Sequence, residues 1–304
     1  MDEPVATYHA APSRPTLRLP PGATDTHCHV FGPASQFPFS PQSTYRPADA
    51  PKERLFALHD LLGFERAVVV QAGLHGFDNR VVADAIAARP GRVVGVALLP
   101  VDADEAVLAA HAAQGFRAVR FNFMPHLGPS AQIGEVIAMT HRLARFGMHL
   151  HVHMHASLVE ELGATLRRSE TVVVIDHMGR IGAEGGVEQR PFVALMRLLE
   201  SETFWVKASG AERSSKLGPP HYSDGVALAA RLVKDFPGRV LWGTDWPHPN
   251  FGAAPPDDGE LVDTLAQIAP DPFVLRALLV DNPQRLFRFA AAAHAKGRPD
   301  TSLA

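Results

Sequence analysis

Val172-Val173-Val174-Ile175-Asp176-His177 is a run of four β-branched apolar residues that ends in two ionisable ones. It is too short for a buried helix and lacks polar alternation, so it reads as a strand covered on both faces, as in a parallel sheet. A helical stretch (158–167) precedes it and another (192–199) follows. The same unit repeats outward in both directions. Predicted strands 67–71, 93–98, 118–123 and 148–153 alternate with predicted helices 52–62, 79–88, 104–113 and 133–145. Beyond it come strand 204–208, helix 226–235 and strand 240–245. With the opening stretch Thr24-Asp25-Thr26-His27-Cys28-His29-Val30-Phe31, the count reaches about eight strands. Eight βα units predict an α/β fold of one domain, a closed (β/α)8 barrel. A doubly wound open sheet is the weaker reading, because no Gly-rich phosphate loop follows the first strand.

Composition agrees with one large enzyme-sized domain. The chain has 304 residues, 46% hydrophobic and 20% charged, enough to bury a sizeable core. A formal net charge of -3 supplies no basic field for nucleic acid and no polybasic patch for a membrane surface. The single cysteine, Cys28, excludes an internal disulfide, fits a reducing cytoplasm and reads as a small buried hydrophobe. No apolar run is long enough to span a bilayer. Residues 1–21 are rich in Pro and Ala and are expected to form an N-terminal arm. Residues 22–294 would form the barrel, and 295–304 a frayed tail. The long connection 32–51 carries Phe37-Pro38-Phe39 and Tyr45-Arg46-Pro47, aromatics that suit an ordered flap.

Barrels of this kind carry their active sites at the C-terminal ends of the strands. Here the predicted ends bear chemistry: His27 and His29, Arg120 and Asn122, His151 and His153, His177, Lys207 and Asp245. His27 and His29 lie two apart on a strand and so face the same way, able to share a cation or polarise one oxygen. Sixteen histidines are present, four of them in the alternating run His149, His151, His153 and His155.

The blocks His27-Cys28-His29, Asp176-His177-Met178-Gly179-Arg180 and Trp242-Gly243-Thr244-Asp245-Trp246-Pro247-His248-Pro249 resemble the amidohydrolase superfamily (amidohydrolase family 2). Within it, the stretch from about Gly22 to Arg288 is similar to the 2-pyrone-4,6-dicarboxylate lactonases and related lactone hydrolases. The shared blocks include Phe37-Pro38-Phe39-Ser40-Pro41, Val70-Gln71-Ala72 and Arg120-Phe121-Asn122-Phe123. The resemblance implies hydrolysis of an acid-bearing lactone in aromatic-compound catabolism. Asp245 would deprotonate the attacking water, and His27, His29 and His177 would stabilise the oxyanion. Arg120, Arg213 and Arg180 would hold substrate acid groups, with Tyr45, His75 and His126 lining the mouth.

Two departures from that family matter. Its members carry consecutive basic residues where this chain has Pro125-His126, so one anion anchor is replaced by an imidazole, suited to a less charged group or a sulfonate. The dicarboxylate lactonases also place a tyrosine where this chain has His153 and work without a divalent metal, whereas related metal-dependent amidohydrolases and decarboxylases place a ligating histidine on that strand. His27, His29, His153 and Asp245 would make a three-histidine, one-carboxylate site suited to zinc or manganese, so a bound metal is expected, with metal-free hydrolysis the alternative. Other readings are a sulfomuconolactone hydrolase, a metal-dependent decarboxylase and a sugar-lactone enzyme. A non-enzymatic ligand-binding barrel would not need Asp245 and the histidine pair together. The expected partner is a small anionic lactone, in a monomer or homo-oligomer.

Overall fold

A computed structural model describes residues 6–43, 46–124, 131–251 and 254–290. Eight parallel strands form one sheet in sequence order: β1 (Thr24–Cys28), β2 (Arg66–Val70), β3 (Val93–Ala97), β4 (Phe116–Phe123), β5 (His149–Met154), β6 (Val173–Ile175), β7 (Phe204–Lys207) and β8 (Val240–Leu241). The first and last strands meet through Thr26 N–H to Trp242 O (3.0 Å), His29 N–H to Trp246 O (2.7 Å) and Asp245 N–H to His27 O (2.7 Å). These bonds bring the sheet round into the expected (β/α)8 barrel.

Helices α1 (Lys52–Leu62), α2 (Arg80–Ala88), α3 (Glu105–Gln114), α4 (Ile133–Arg145), α5 (Leu158–Leu166), α6 (Arg190–Leu199), α7 (Ala211–Ser214) and α8 (Ser223–Asp235) fill the connections. Local sequence fixes several of their ends. The Asp104 side chain accepts from Val107 N–H at the start of α3, and Gly115, at φ 101°, ends it. Helix α4 buries Val136, Ile137, Met139 and Leu143 on one stripe.

The strands carry two cores. One face packs against the helices. The other, inside the barrel, holds Val68, Val70, Val94, Val96, Ala118, Val174 and Leu241, with Phe287 against them. Above this apolar plug the inward positions turn polar. Parallel register sets Arg120 beside His151 and Asn122 beside His153.

β6 and β8 end earlier than their sequences suggest, as does β1, which stops at Cys28. β6 stops at Ile175, and Asp176–Arg180 forms a tight turn in which His177, Met178 and Gly179 have φ of 50°, 52° and 65°. β8 stops at Leu241, and Asp245 stands beyond it at φ 60°. In both places the chain leaves the ladder so that a strand-end side chain bends inward over the barrel mouth. The connection 32–51 is anchored where it is described. Phe31 and Ala50 exchange both backbone hydrogen bonds (2.9 Å each), and Phe37 is buried.

Candidate active site

Asp245 lies at the centre of the barrel mouth. Its Oδ2 accepts from Arg213 Nε (2.7 Å), and its Oδ1 lies 3.2 Å from His29 Nε2 and 3.7 Å from both His27 Nε2 and His177 Nε2. Burial alone would raise its carboxyl pKa, but the Arg213 guanidinium and the surrounding histidines hold it well below the usual range. The side chain is therefore an anion with one oxygen fixed and the other facing imidazoles. Its left-handed backbone is held by Asp245 N–H to His27 O and His248 N–H to Asp245 O, both 2.7 Å.

Beneath it the charges alternate. Arg120 Nε donates to Asp176 Oδ2 (2.7 Å), and Asp176 Oδ1 lies 3.2 Å from Lys207 Nζ. Lys207 Nζ in turn lies 2.9 Å from His27 Nδ1 and 3.3 Å from His151 Nδ1. Lys207, Asp176, His27 and His151 are all fully buried. Burial would raise the Asp176 carboxyl pKa, yet Lys207 and Arg120 bring it well below the usual range. Behind β1, Asp25 accepts from His27 N–H (3.0 Å), Thr244 N–H (3.2 Å) and Thr244 Oγ1 (2.6 Å), and pairs with His59 (3.1 Å). That carboxylate locks the histidine strand to the Asp245 loop and to α1.

Hydrogen-bond partners constrain the histidine protons. His29 Nδ1 donates to the Val70 carbonyl oxygen (2.7 Å), and its Nε2 faces the Asp245 carboxylate at 3.2 Å. His153 Nδ1 meets Asn122 Oδ1 at 3.1 Å, so its Nε2, buried without a partner, is a lone pair. His27 differs, because its Nδ1 lies 2.9 Å from the lysine and 3.5 Å from Asp176 Oδ1. Burial first, and Lys207 second, hold the His27 pKa well below the ordinary imidazole value. The neutral ring carries its proton on Nε2 if Lys207 donates to Nδ1, and on Nδ1 if the ring donates to Asp176.

This inventory bears on a metal. By distance, His27, His177 and Asp245 could hold an ion, since one ligand atom from each lies within 4.8 Å of the others. The group contains His177 where sequence reasoning had placed His29 and His153. A ligating imidazole must offer a lone pair, so with Lys207 donating to its Nδ1, His27 would present N–H and the residues would not fit an ion at that position. A second group close enough by distance, Asp25, Cys28 and His59, is occupied by the structural bonds of Asp25 and by Cys28 Sγ to Val68 O (3.6 Å).

Above Asp245 opens a cavity of about 490 Å³, lined among others by His29, Arg120, Asn122, His153, His177, Arg180 and Arg213. Arg120 and Arg213 each have one edge committed, to Asp176 and Asp245. Arg180 makes no ion pair or hydrogen bond among the described residues, and burial lowers its pKa. The placement of His75 corrects the sequence reading. Its Nδ1 donates to Pro38 O (3.2 Å) and its Nε2 accepts from Gly32 N–H (3.3 Å), so the ring pins the first loop instead of facing the cavity. Neighbouring Ala72, Gly73, Leu74 and Gly76 form the wall instead. Tyr45 and His126 lie outside the described residues.

An amidohydrolase family profile matches residues 24–289, which takes in every strand and every group just described. The chain belongs to the amidohydrolase family. This amidohydrolase is 43% identical over 288 residues to a 2-pyrone-4,6-dicarboxylate hydrolase of Comamonas testosteroni, covering 92% of this chain and 94% of the relative. It is 38% identical over 275 residues to a 4-sulfomuconolactone hydrolase of Rhizobium radiobacter, covering 90% and 92%. A solved structure from Pseudomonas putida, assigned as a 2-pyrone-4,6-dicarboxylic acid hydrolase, superposes with a TM-score of 0.78 at 29% identity, covering 90% of this chain and all of that one.

The structure of the amidohydrolase also brings in residues to which sequence gave no role. Asp176, Lys207 and His151 were legible only as ionisable groups at strand ends. Their joint position follows from closing the barrel. Ser209, whose hydroxyl meets His177 Nδ1 at 3.0 Å, carried no signal. Gly210 allows that contact, because a Cβ there would lie 3.2 Å from His177 Cβ and its φ is 80°.

Proposed function

We propose that this amidohydrolase opens an acid-bearing lactone, of the 2-pyrone-4,6-dicarboxylate or sulfomuconolactone kind, by water activated at Asp245. The observation that carries this reading is the Asp245 carboxylate, anionic and fixed by Arg213, on the floor of a cavity that also presents Arg120 and Arg180. A hydrolytic base and anion-binding guanidiniums within one cavity suit an ester that bears acid groups. The names of the Comamonas and Rhizobium relatives agree with that class. Lactones of this kind arise when aromatic rings are broken down, which places the enzyme in aromatic-compound catabolism.

Water held against Asp245 Oδ1 attacks the lactone carbonyl carbon and gives Oδ1 its proton. Asp245 Oδ1 lies 3.2 Å from His29 Nε2, which orients the carboxyl group while it holds the proton. Charge that develops on the carbonyl oxygen meets donors from His177 and His27. For His177, a Ser209 hydroxyl that donates to Nδ1 leaves the ring proton on Nε2. The tetrahedral centre then collapses, the ring C–O bond breaks, and the leaving oxygen takes the proton back from Asp245. Each turnover converts one ester into one carboxylate and one free enol or alcohol. Because burial lowers the His177 pKa, that ring is neutral and acts as a donor without becoming a permanent charge.

The test is an assay with both lactones in water enriched in oxygen-18. Label in a single carboxyl of the opened product, at a rate that chelation leaves within about twofold, is the expected result. Release of carbon dioxide with no label uptake would replace hydrolysis with decarboxylation.

A further inference from the structure

The site described above contains a fully buried lysine to which hydrolysis assigns no role. Lys207 Nζ lies 2.9 Å from His27 Nδ1, closer than the 3.5 Å that separates His27 Nδ1 from Asp176 Oδ1. A donor, Lys207, and an acceptor, Asp176, compete for that one nitrogen. If Lys207 donates, Nδ1 is a lone pair and Nε2 carries hydrogen. If His27 donates to Asp176 instead, Nε2 becomes a lone pair, the arrangement in which a carboxylate-backed histidine ligates a metal.

The acceptor for that second arrangement is already in place. Asp176 Oδ1 is buried and makes no hydrogen bond, although it stands within ion-pair range of Lys207, His27 and His151. Its other oxygen is held by Arg120. His27 Nε2 likewise has no partner and points toward Asp245. By distance, therefore, the chain has a carboxylate-backed histidine and two further ligand atoms. Only the ammonium between β7 and β1 opposes it.

We propose that Lys207 is a positioning residue that holds His27 in the Nε2–H form, so that the barrel mouth presents a hydrogen-bond donor where a lone pair would recruit a divalent cation. Two effects act together. The ammonium uses the Nδ1 lone pair, which sets the tautomer. It also adds positive charge to a buried cluster where a second cation would be repelled. Asp176, itself held by Arg120, lies 3.2 Å from the lysine and fixes it in that position, while His151 Nδ1 accepts from it at 3.3 Å. The inference concerns the resting enzyme and stands whether or not the substrate is a lactone.

Nitrogen-15 spectra of histidine-labelled wild-type enzyme at neutral pH, with His27 assigned through His27→Gln, read the tautomer directly. Hydrogen on Nε2 of His27 is expected, and hydrogen on Nδ1 would overturn the proposal without any lysine variant. Calorimetric titration of zinc into chelator-treated wild type and Lys207→Met forms the second arm. The methionine variant is expected to bind one zinc at least tenfold more tightly than wild type, and the double variant His27→Gln/Lys207→Met to lose that gain. Equal zinc affinity in folded wild type and Lys207→Met would contradict it. If Lys207→Met does not fold, the wild-type spectrum decides alone.

Discussion

Asp245 and Arg180 stand at opposite ends of the proposed chemistry, and their replacement should separate it into two parts. Asp245→Asn keeps the shape but removes the proton acceptor, so kcat should fall by about 10³-fold or more while the substrate dissociation constant moves only a few-fold. Arg180 has no ion pair among the described residues, so a substrate acid group would gain a charge-assisted bond there without first breaking one. Such a bond is worth about 1.5–3 kcal/mol. Arg180→Met should therefore raise KM by roughly 10- to 100-fold with a smaller change in kcat, measured by steady-state kinetics on the same lactone. At this scale the sequence was informative about residue type and silent about commitment. Arg120 could be named from its place at the end of strand 4, and Arg213 from the family resemblance. That Arg120 is tied to Asp176 and Arg213 to Asp245 depends on contacts across the barrel, which no local pattern encodes.

At the scale of elements, the critical junction is the seam between β8 and β1. Gly243 runs so close to β1 that an added Cβ would lie 2.4 Å from His27 N and 2.8 Å from Asp25 Oδ1. Gly243→Ala should therefore push the Asp245 loop off the histidine strand. Overpacking of this kind costs about 1–3 kcal/mol, and thermal denaturation should show it as a lowered Tm together with lost activity. Helices and most strands were legible because period and apolar runs are local properties. The ends of β6 and β8 were not. Val172 to His177 and Val240 to Asp245 read as continuous strands, whereas the structure turns them after Ile175 and Leu241. Left-handed φ at Asp245 goes with its backbone bond to His27 on β1, and at His177 with the tight turn after β6, and neither residue type announces it. His75 was misplaced for a similar reason, since the loop that it pins is distant in sequence.

The whole molecule concentrates neutral histidines inside the barrel. Burial lowers the pKa values of His27, His149, His151, His153 and His177, to about 3 for His149. The unfolded chain takes up protons near the ordinary value of about 6.5, while these folded-state rings do not. Stability is thus complete above that value and declines as pH falls through the window toward the lowered folded values. For His149 alone the slope is about 1.4 kcal/mol per pH unit. Denaturant unfolding at pH 7.0, 6.0 and 5.0 should give a midpoint that falls steadily, and an unchanged midpoint would mean that these rings are charged in the folded barrel. The eightfold alternation and the barrel were readable from the chain as a whole, because eight apolar runs between helical stretches leave few other architectures. The metal question was not readable at that scale, since it turns on which nitrogen of His27 bears a proton.

The most direct measurement combines binding and turnover of 2-pyrone-4,6-dicarboxylate and of a sulfomuconolactone by wild type and Asp245→Asn. Wild type should open at least one of the two lactones. The variant should bind that same lactone with an affinity within a few-fold of wild type and leave it intact. Turnover by Asp245→Asn at the wild-type rate would contradict the assignment of Asp245 as the base that activates water.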